Sequence, residues 1–516
     1  MQQIEKWGVF EGQIFGKSDG NPFLNYQVKG IFTGEKEKKE VPGFYDGDGV
    51  YKVRFMPSFE GVYEYEITCT ASEETVKGSF EAVAPKEGNH GPVQVANEYG
   101  FRYADGTVYQ SVGTTCYAWV HQSEELQEQT LETLRNSSFN KIRFCFFPKF
   151  YQYNEHEPIT YPYVRGEIQG QNPDRTQRLD QVMFRATQNI ERVRDFDFTY
   201  LNAEHFKRFD ERIEQLREMG IEADMILFHP YDKWGFSAMT REANKEYLAY
   251  VAARYSAYRN VWWSMANEYD ILFWDLEEWD EYGAYITGLD PYHHLCSVHN
   301  CMKYYDFSKP WVTHCSCQRI DLYKHVETTN ELIDQFHKPV VWDEICYEGN
   351  IDNGWGNISG QELVRRFYES VLRGGCAGHG ETFVHPKNIL WWSHGGVLHG
   401  ESDERFQFLK KIWADVPGGY LKHAEGIFDE TVGIPVAQEK VMDWINGKIV
   451  WADYELHYYG FGRPSFKDFT FPEGKKYQVD LIDTWNMTIT DCGVHEGLTT
   501  IEMPGREWMM IRLRAV

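Results

Sequence analysis

The sequence predicts an α/β protein: a (β/α)8 barrel, preceded by an immunoglobulin-like β-sandwich and followed by a small β-sandwich. Three observations lead there. Residues from about 100 to 420 alternate short apolar runs with amphipathic segments, as strands that each feed a helix would. Residues 1–88 and those after 422 lack that alternation and carry β-formers punctuated by Gly, Pro and Asp. Two apolar runs, Val261–Ala266 and Val340–Trp342, end in the polar pairs Asn267-Glu268 and Asp343-Glu344. Polar groups where a buried strand runs out are costly unless something uses them. The expected boundaries are 1–88, 95–421 and 422–516.

Composition narrows the classes. A chain of 516 residues is too long for one core. A formal charge of −26 argues against nucleic acid or an anionic membrane as partner, since both reward positive charge. The start, MQQIEKWGVFEG, has neither the basic region nor the apolar core of a secretory signal, and no stretch is apolar enough to span a membrane. The ten cysteines are scattered, several inside apparent core strands, and read as reduced thiols of a cytoplasmic protein. Cys315 and Cys317 form a CxC rather than the C-x₂₋₄-C of a zinc site, so no metal and no cofactor is expected. Homo-oligomerisation is left open.

In chain order, Tyr26–Phe32, Val50–Met56 and Gly61–Thr68 read as sandwich strands, with a turn at Pro57-Ser58. Asp46 and Asp48 lie beside glycines but lack the remaining spacing of a calcium loop, so they read as turn residues. Pro85–Pro92 is the linker, and Phe101–Gln110 a hairpin with an Asp-Gly turn. The barrel strands are then SVGTTCYAW, Lys141–Phe147, Ile221–Phe228, the Trp262-Trp263 run, His294–His299, Trp311–Cys317, Pro339–Glu344 and Gly375–Phe383. Helices are expected at Glu124–Arg135, Ala203–Met219, Ala243–Tyr258 and Gly360–Leu372. The second carries Phe206, Phe209, Ile213, Leu216 and Met219 on one stripe and stops at Gly220. Pro148–Asn202 is far longer than an ordinary βα loop and should wall a pocket on the catalytic face. Lys448–His457, Lys476–Asp483, Thr499–Met503 and Trp508–Arg514 read as C-terminal strands.

Two carboxylates at two buried strand ends suit the cleavage of a glycosidic bond, which passes through an oxocarbenium-like state. One carboxyl must keep its proton near neutral pH and the other must stay ionised. A metal-dependent barrel hydrolase would want an HxH on the first strand, which has no histidine.

The segments WSMANEYD and KPVVWDEICYEG resemble the two catalytic strands of clan A glycoside hydrolases. HFKRFDERIEQLREMGIEADMILF and YLAYVAARYSAYRNVWWSMANE are more narrowly similar to a bacterial branch of glycosidases with a β-sandwich on each side of the barrel. The resemblance covers roughly residues 95–420. It implies a retaining hydrolase acting on an oligosaccharide or plant-type glycan, with Glu268 as acid/base, Glu344 as nucleophile and Asn267 on the sugar 2-hydroxyl. It also implies Arg143 near the nucleophile and His314 facing it, although THCSCQ has no tyrosine two residues after His314. Asp343 and Glu348 flank Glu344; Glu344 is preferred because it ends the apolar run. Trp262/Trp263-type neighbours are expected to wall Glu268. Further strand-end candidates are His229 with Tyr231, His299 with Asn300, and His379 with Glu381, while Trp391 or Trp392 would supply an aromatic platform for the sugar. The rival class is a non-catalytic carbohydrate-binding protein on a degenerate barrel.

Overall fold

The structure, a computed structural model, describes residues 1–175, 195–319, 321, 326–384, 390–424, 430–443 and 445–516. Eight parallel strands form the central sheet: β1 (Val112–Thr115), β2 (Lys141–Cys145), β3 (Glu222–Phe228), β4 (Val261–Ala266), β5 (Cys296–Ser297), β6 (Cys315–Gln318), β7 (Val340–Glu344) and β8 (Cys376–His379). Neighbours run β5-β4-β3-β2-β1-β8-β7-β6, and a parallel bridge between His299 and Ser316 joins the two ends into a nearly closed barrel. Strand 4 is buried from end to end, so its apolar run is continuous rather than alternating.

The helices α1 (Glu124–Asn136), α2 (Ala203–Glu218), α3 (Arg241–Tyr255), α4 (Leu276–Leu289), α5 (Thr329–Phe336), α6 (Gly360–Leu372) and α7 (Asp403–Ala414) surround it. Ser123, Asn202, Thr240 and Ser359 cap α1, α2, α3 and α6 through side-chain oxygens. The repeat fails once. Residues 298–314, between β5 and β6, contain no helix. That stretch folds as turns around polar side chains: the Asp270 carboxylate accepts the N–H groups of Cys301, Met302 and Lys303.

The strand starts are plugged by a three-stranded antiparallel sheet of Val93–Asn97, Gly100–Tyr103 and Val108–Tyr109. Asp105-Gly106 turns the hairpin, with Gly106 at φ +94°. Phe101 of the plug packs 5.3 Å from the Trp262 ring. Of the long loop after β2, Tyr163–Arg165 pairs with Phe196–Leu201, and part of that loop lies outside the described residues.

The N-terminal region is two facing sheets, of five and three strands. Its core is aromatic: Phe10 stacks on Phe80 at 4.6 Å and Phe32 on Phe55 at 4.2 Å. It docks on the barrel through buried charge. Arg54 donates to Asp210 of α2 at 2.7 Å, and Arg254 of α3 donates to Asp210 at 2.6 Å and to Asp46 at 2.8 Å. Asp46 is therefore a docking residue as well as a turn residue.

The C-terminal region is a six-stranded antiparallel sheet with two two-stranded ones. The stretch expected as one strand, Lys448–His457, is two: Lys448–Val450 pairs with Val441–Asp443, and Tyr454–Tyr458 joins the main sheet. The break falls where the Ala452 N–H turns to the Glu455 carboxylate at 2.9 Å. Among the described residues, no helix is long and apolar enough to cross a membrane.

Removing Asp210 takes from two buried guanidinium groups the carboxylate they share, leaving Arg254 with Asp46 and Arg54 with Glu11. Asp210→Ala should cost about 3–5 kcal/mol, the range for breaking a buried ion pair by deleting one partner. Denaturant unfolding followed by Trp fluorescence measures it, and a loss below about 1 kcal/mol would show the cluster to be solvent-screened.

Candidate active site

At the carboxyl ends of the strands lies a cavity of about 490 Å³, inside the range of about 300–1,000 Å³ usual for small-molecule sites. Its wall includes Asn267 and Glu268 after β4, Glu344 at the end of β7, Gln318 at the end of β6, and Tyr117 after β1. Lys149, Tyr151 and Tyr153 from the start of the long loop, Tyr231, Tyr347, Trp355 and Trp392 complete it, with Cys301 and Arg319.

The two carboxyls are linked through two intervening side chains. The Tyr117 hydroxyl lies against Glu344 Oε1 and 3.0 Å from Asn267 Oδ1, and Asn267 Nδ2 donates to Glu268 Oε2 at 3.2 Å. Arg143, buried on β2, donates to the Tyr117 hydroxyl at 3.2 Å and reaches Glu344 Oε1 at 3.4 Å. Glu268 also accepts from the Tyr231 hydroxyl and, at 3.0 Å, from Gln318 Nε2. Burial, and then the charge of Glu268, push the Glu344 carboxyl above the ordinary glutamate range. Arg143, the Tyr117 hydrogen bond and Lys149 pull it back.

Strict alternation along a strand lets only one of two successive side chains face the same side. Both acidic pairs escape it, by different means. Glu268 adopts a left-handed backbone, φ 57° and ψ 57°. In β7 the register with β6 slips: Cys317 faces Trp342 but Gln318 faces Glu344, so Asp343 is an extra residue. Such a bulge re-aims the side chains beside it.

Asp343 uses its inward position below the cavity, where Lys141 Nζ lies 2.7 Å from its Oδ1 and Ser316 Oγ 2.5 Å from its Oδ2. Glu348 faces away and accepts the N–H groups of Glu401 at 2.8 Å and Ser402 at 3.2 Å. Glu344 alone of these three acids lines the cavity.

The other expected contacts divide. Trp392 lines the cavity, 5.5 Å from the Tyr117 ring and 5.0 Å from Trp355. Trp391 does not: its indole N–H donates to Thr114 Oγ1 at 2.8 Å, in a cluster where His379 stacks on Phe139 at 4.7 Å. His314 precedes β6, so it lies at the plugged end, 5.4 Å from the Trp262 ring. His299 sits at the seam that closes the barrel, and His229 lies beneath the long loop with Nε2 3.0 Å from the Phe147 carbonyl. None of these four histidines lines the cavity. Burial holds His229, His314 and His379 neutral, with pKa values pulled down to about 3. Trp262 and Trp263 do not wall Glu268 either: their indoles donate to Glu222 at 2.9 Å and Asp290 at 3.0 Å, lower in the barrel. Tyr117, Gln318, Tyr347 and Trp355 were not expected at the site, and Lys149 only as part of the loop Pro148–Asn202 that should wall it. For Tyr117, Gln318 and Tyr347 the one signal in the sequence is position, at or just beyond a strand end.

An eight-stranded parallel barrel with β-rich regions on either side and a cavity at its strand ends is a glycoside hydrolase fold. The chain belongs to the family described as "Apiosidase-like, catalytic domain", whose profile matches residues 96–414. Two further profiles, both domains of unknown function, match residues 3–70 (DUF5060) and 444–514 (DUF5605). A crystal structure from Bacteroides vulgatus, of a protein provisionally assigned as a glycoside hydrolase, is 32% identical over 100% of both chains, with a TM-score of 0.87. A glycoside hydrolase family 5 protein of the same species is similar in fold, with a TM-score of 0.60 at 16% identity over 83% of this chain and 94% of that one. No curated protein matches.

Two buried acids give stability a pH dependence. Burial pushes Glu222 and Glu381 each up to about 8, against the Trp262 N–H on the first and the His399 and Gly400 N–H groups on the second. Both hold a proton in the folded protein that they release on unfolding near neutral pH. Their stabilisation is complete below the unfolded value of about 4.3 and drains away as pH rises through about 8. Glu222→Gln and Glu381→Gln should therefore each flatten the fall in Tm between about pH 5 and about pH 9. An unchanged slope in both variants would mean that these acids are ionised in the folded state.

Proposed function

We propose that the protein is a retaining glycoside hydrolase that works by double displacement, with Glu344 as nucleophile and Glu268 as acid/base. In this reading residues 95–421 are the catalytic unit and 1–88 and 422–516 its flanking domains. The observation that carries it is the pair of carboxyls at the ends of β4 and β7, facing one cavity and linked through Tyr117 and Asn267.

Charge divides the roles. Among the described residues, the one cation in ion-pair reach of either carboxyl is Arg143, and it is on Glu344. The hydrogen-bond partners of Glu268 are a phenol, two amides and the Cys301 thiol, and none is a cation. Arg143 therefore favours the ionised form of Glu344, which attack requires, and no such cation stands on Glu268. In the first step Glu344 Oε attacks the anomeric carbon while Glu268 gives its proton to the departing glycosidic oxygen. In the second, Glu268 takes a proton from water as the water oxygen attacks the same carbon and releases Glu344 as carboxylate. Two inversions give net retention. In this reading Asn267 holds the sugar 2-hydroxyl and Trp392 stacks on a ring face.

Proton NMR of the first-formed product from an aryl glycoside panel tests the outcome, and an inverted anomer sinks the mechanism. Glu344→Gln should lose on the order of 10⁴-fold in kcat, as loss of a nucleophile does. A 2-fluoro glycoside should label the peptide around Trp342–Asn350 in the wild type. A label on Glu348 instead would reassign the role.

The cation beside Glu344 makes a second prediction. Arg143→Met removes the positive charge that lowers the Glu344 carboxyl, so the acid limb of the pH–rate profile should move to higher pH on activated aryl glycosides. A limb that stays in place would show that Arg143 does not act on Glu344 electrostatically.

A further inference from the structure

Lys149 is the buried cation of the cavity that the double displacement leaves unused. It opens the long loop after β2, its carbonyl held by Asn154 Nδ2 at 2.6 Å. The residue is 2% exposed and lines the cavity. Its ammonium lies over the rings of Tyr117, Tyr231 and Tyr151, at 3.3, 4.2 and 4.7 Å. Among the described residues it makes no hydrogen bond and no ion pair. Ring faces attract a cation but leave its three N–H donors without acceptors. Burial pulls this ammonium below the usual lysine range, while Cys145, Glu268 and Glu344 act the other way.

The two cations of β2 itself are already matched. Lys141 is closed off by Asp224 and Asp343, each 2.7 Å away, and Arg143 is engaged with Tyr117 and Glu344. Arg319 adds a half-buried cation to the same wall as Lys149. The lining thus sets two cations, Lys149 and Arg319, beside the two glutamates, and among the described residues the buried one, Lys149, has no carboxylate in ion-pair reach. A hydroxyl of a neutral sugar would accept a hydrogen bond from Lys149 but leave that charge unbalanced; a carboxylate both accepts the bond and balances the charge.

We propose that the sugar bound between Glu268 and Glu344 is a uronic acid whose carboxylate pairs with the Lys149 ammonium. The proposal rests on the hydrolase reading for which sugar position is meant, and adds to it the chemical class of the substrate.

Two measurements test it. In the first, saturation-transfer NMR compares D-glucuronate, D-galacturonate, D-mannuronate, L-guluronate and L-iduronate with glucose, galactose, mannose and D-apiose. The whole chain is used, as wild type and as Lys149→Met with its folding checked by Tm. Uronates should bind in preference to neutral sugars, and Lys149→Met should weaken that binding on the order of 10²-fold, as truncating one side of a buried charge pair does. Lys149→Arg, which keeps the charge, should retain the preference. Neutral sugars bound as tightly as every uronate, no uronate bound, or uronate binding that survives in Lys149→Met each overturn the proposal; should Lys149→Met fail to fold, the wild-type comparison decides alone.

In the second, uronic-acid oligosaccharides are offered before and after reduction of their carboxyls to primary alcohols. Cleavage should require the native carboxyls. Retaining cleavage of reduced or neutral substrates, unaffected by Lys149→Met, sinks the uronate inference and leaves the hydrolase reading standing. Lys149-dependent uronate binding without hydrolysis of any substrate does the reverse.

Discussion

Lys141 holds two aspartates together at the centre of the barrel, and the site above is built on that pairing. Its ammonium is 2.7 Å from both Asp224 and Asp343, with Ser316 closing the remaining oxygen of Asp343. Burial works against the charge of Asp343, yet Lys141 and Arg143 outweigh it and hold that carboxyl below its ordinary range. The consequence lies one residue on. Because Lys141 compensates Asp343 from below, the Nη1 of Arg143 is left for Tyr117 and Glu344. An unpaired acid at 343 would compete for the same guanidinium, and a buried charge without a partner is far more costly than one with it. The layer that looks purely structural thus decides how much positive charge the cavity receives.

Much of this was legible in the amino-acid sequence, because it is written in apolar runs and their punctuation. Strands 4 and 7 carry mostly apolar runs, Val261–Ala266 and Val340–Trp342, that turn polar at their ends, which marks both the strands and their ends. The helix α6 fell at its expected bounds, since Ser359 caps it and its apolar positions recur at helical spacing. What failed was the assumption that every barrel strand is followed by a helix. Residues 298–314 have the polar, turn-forming side chains of a loop, and Asp270 from a different connection organises them. No local pattern can report a partner some thirty residues away in the chain.

The histidines show the other limit. His229, His299, His314 and His379 stand on or beside barrel strands, and a histidine near a strand end invites a ligand role. Which end of the strand, and which face, is a three-dimensional fact. His314 comes just before β6 rather than after it, and so sits against the plug; His379 turns outward onto Phe139. Periodicity likewise could not separate Trp391 from Trp392, because the short helix Trp391–His394 replaces any strand alternation there. The cavity lining that went unread, Tyr117 and Gln318 above all, lies where periodicity stops carrying information.

The acid pairs themselves raise a question of backbone chemistry. Asn267-Glu268 and Asp343-Glu344 each ask two successive polar side chains to serve one interior, which an ideal strand forbids. The chain answers once with a left-handed non-glycine residue and once with a bulge, and neither comes free: left-handed backbone at a residue with a Cβ costs about 1–3 kcal/mol and persists only where the surroundings over-determine it. At Glu268 the surroundings do so. Asn267 N–H is held by the Phe228 carbonyl at 2.9 Å, and Tyr269 N–H by His299 at 2.9 Å, so the peptides on both sides are fixed by neighbouring strands. After β7, Cys346 is again left-handed, φ 65°, two residues beyond Glu344. Strain therefore lies beside both carboxyls, in the two segments that the proposed mechanism asks to hold still while charge moves between them. A loop would have reached the cavity without strain, but it would have left the aim of each carboxyl to side-chain torsions. Rigid strand ends give that aim to the backbone, which is where reaction geometry is best kept.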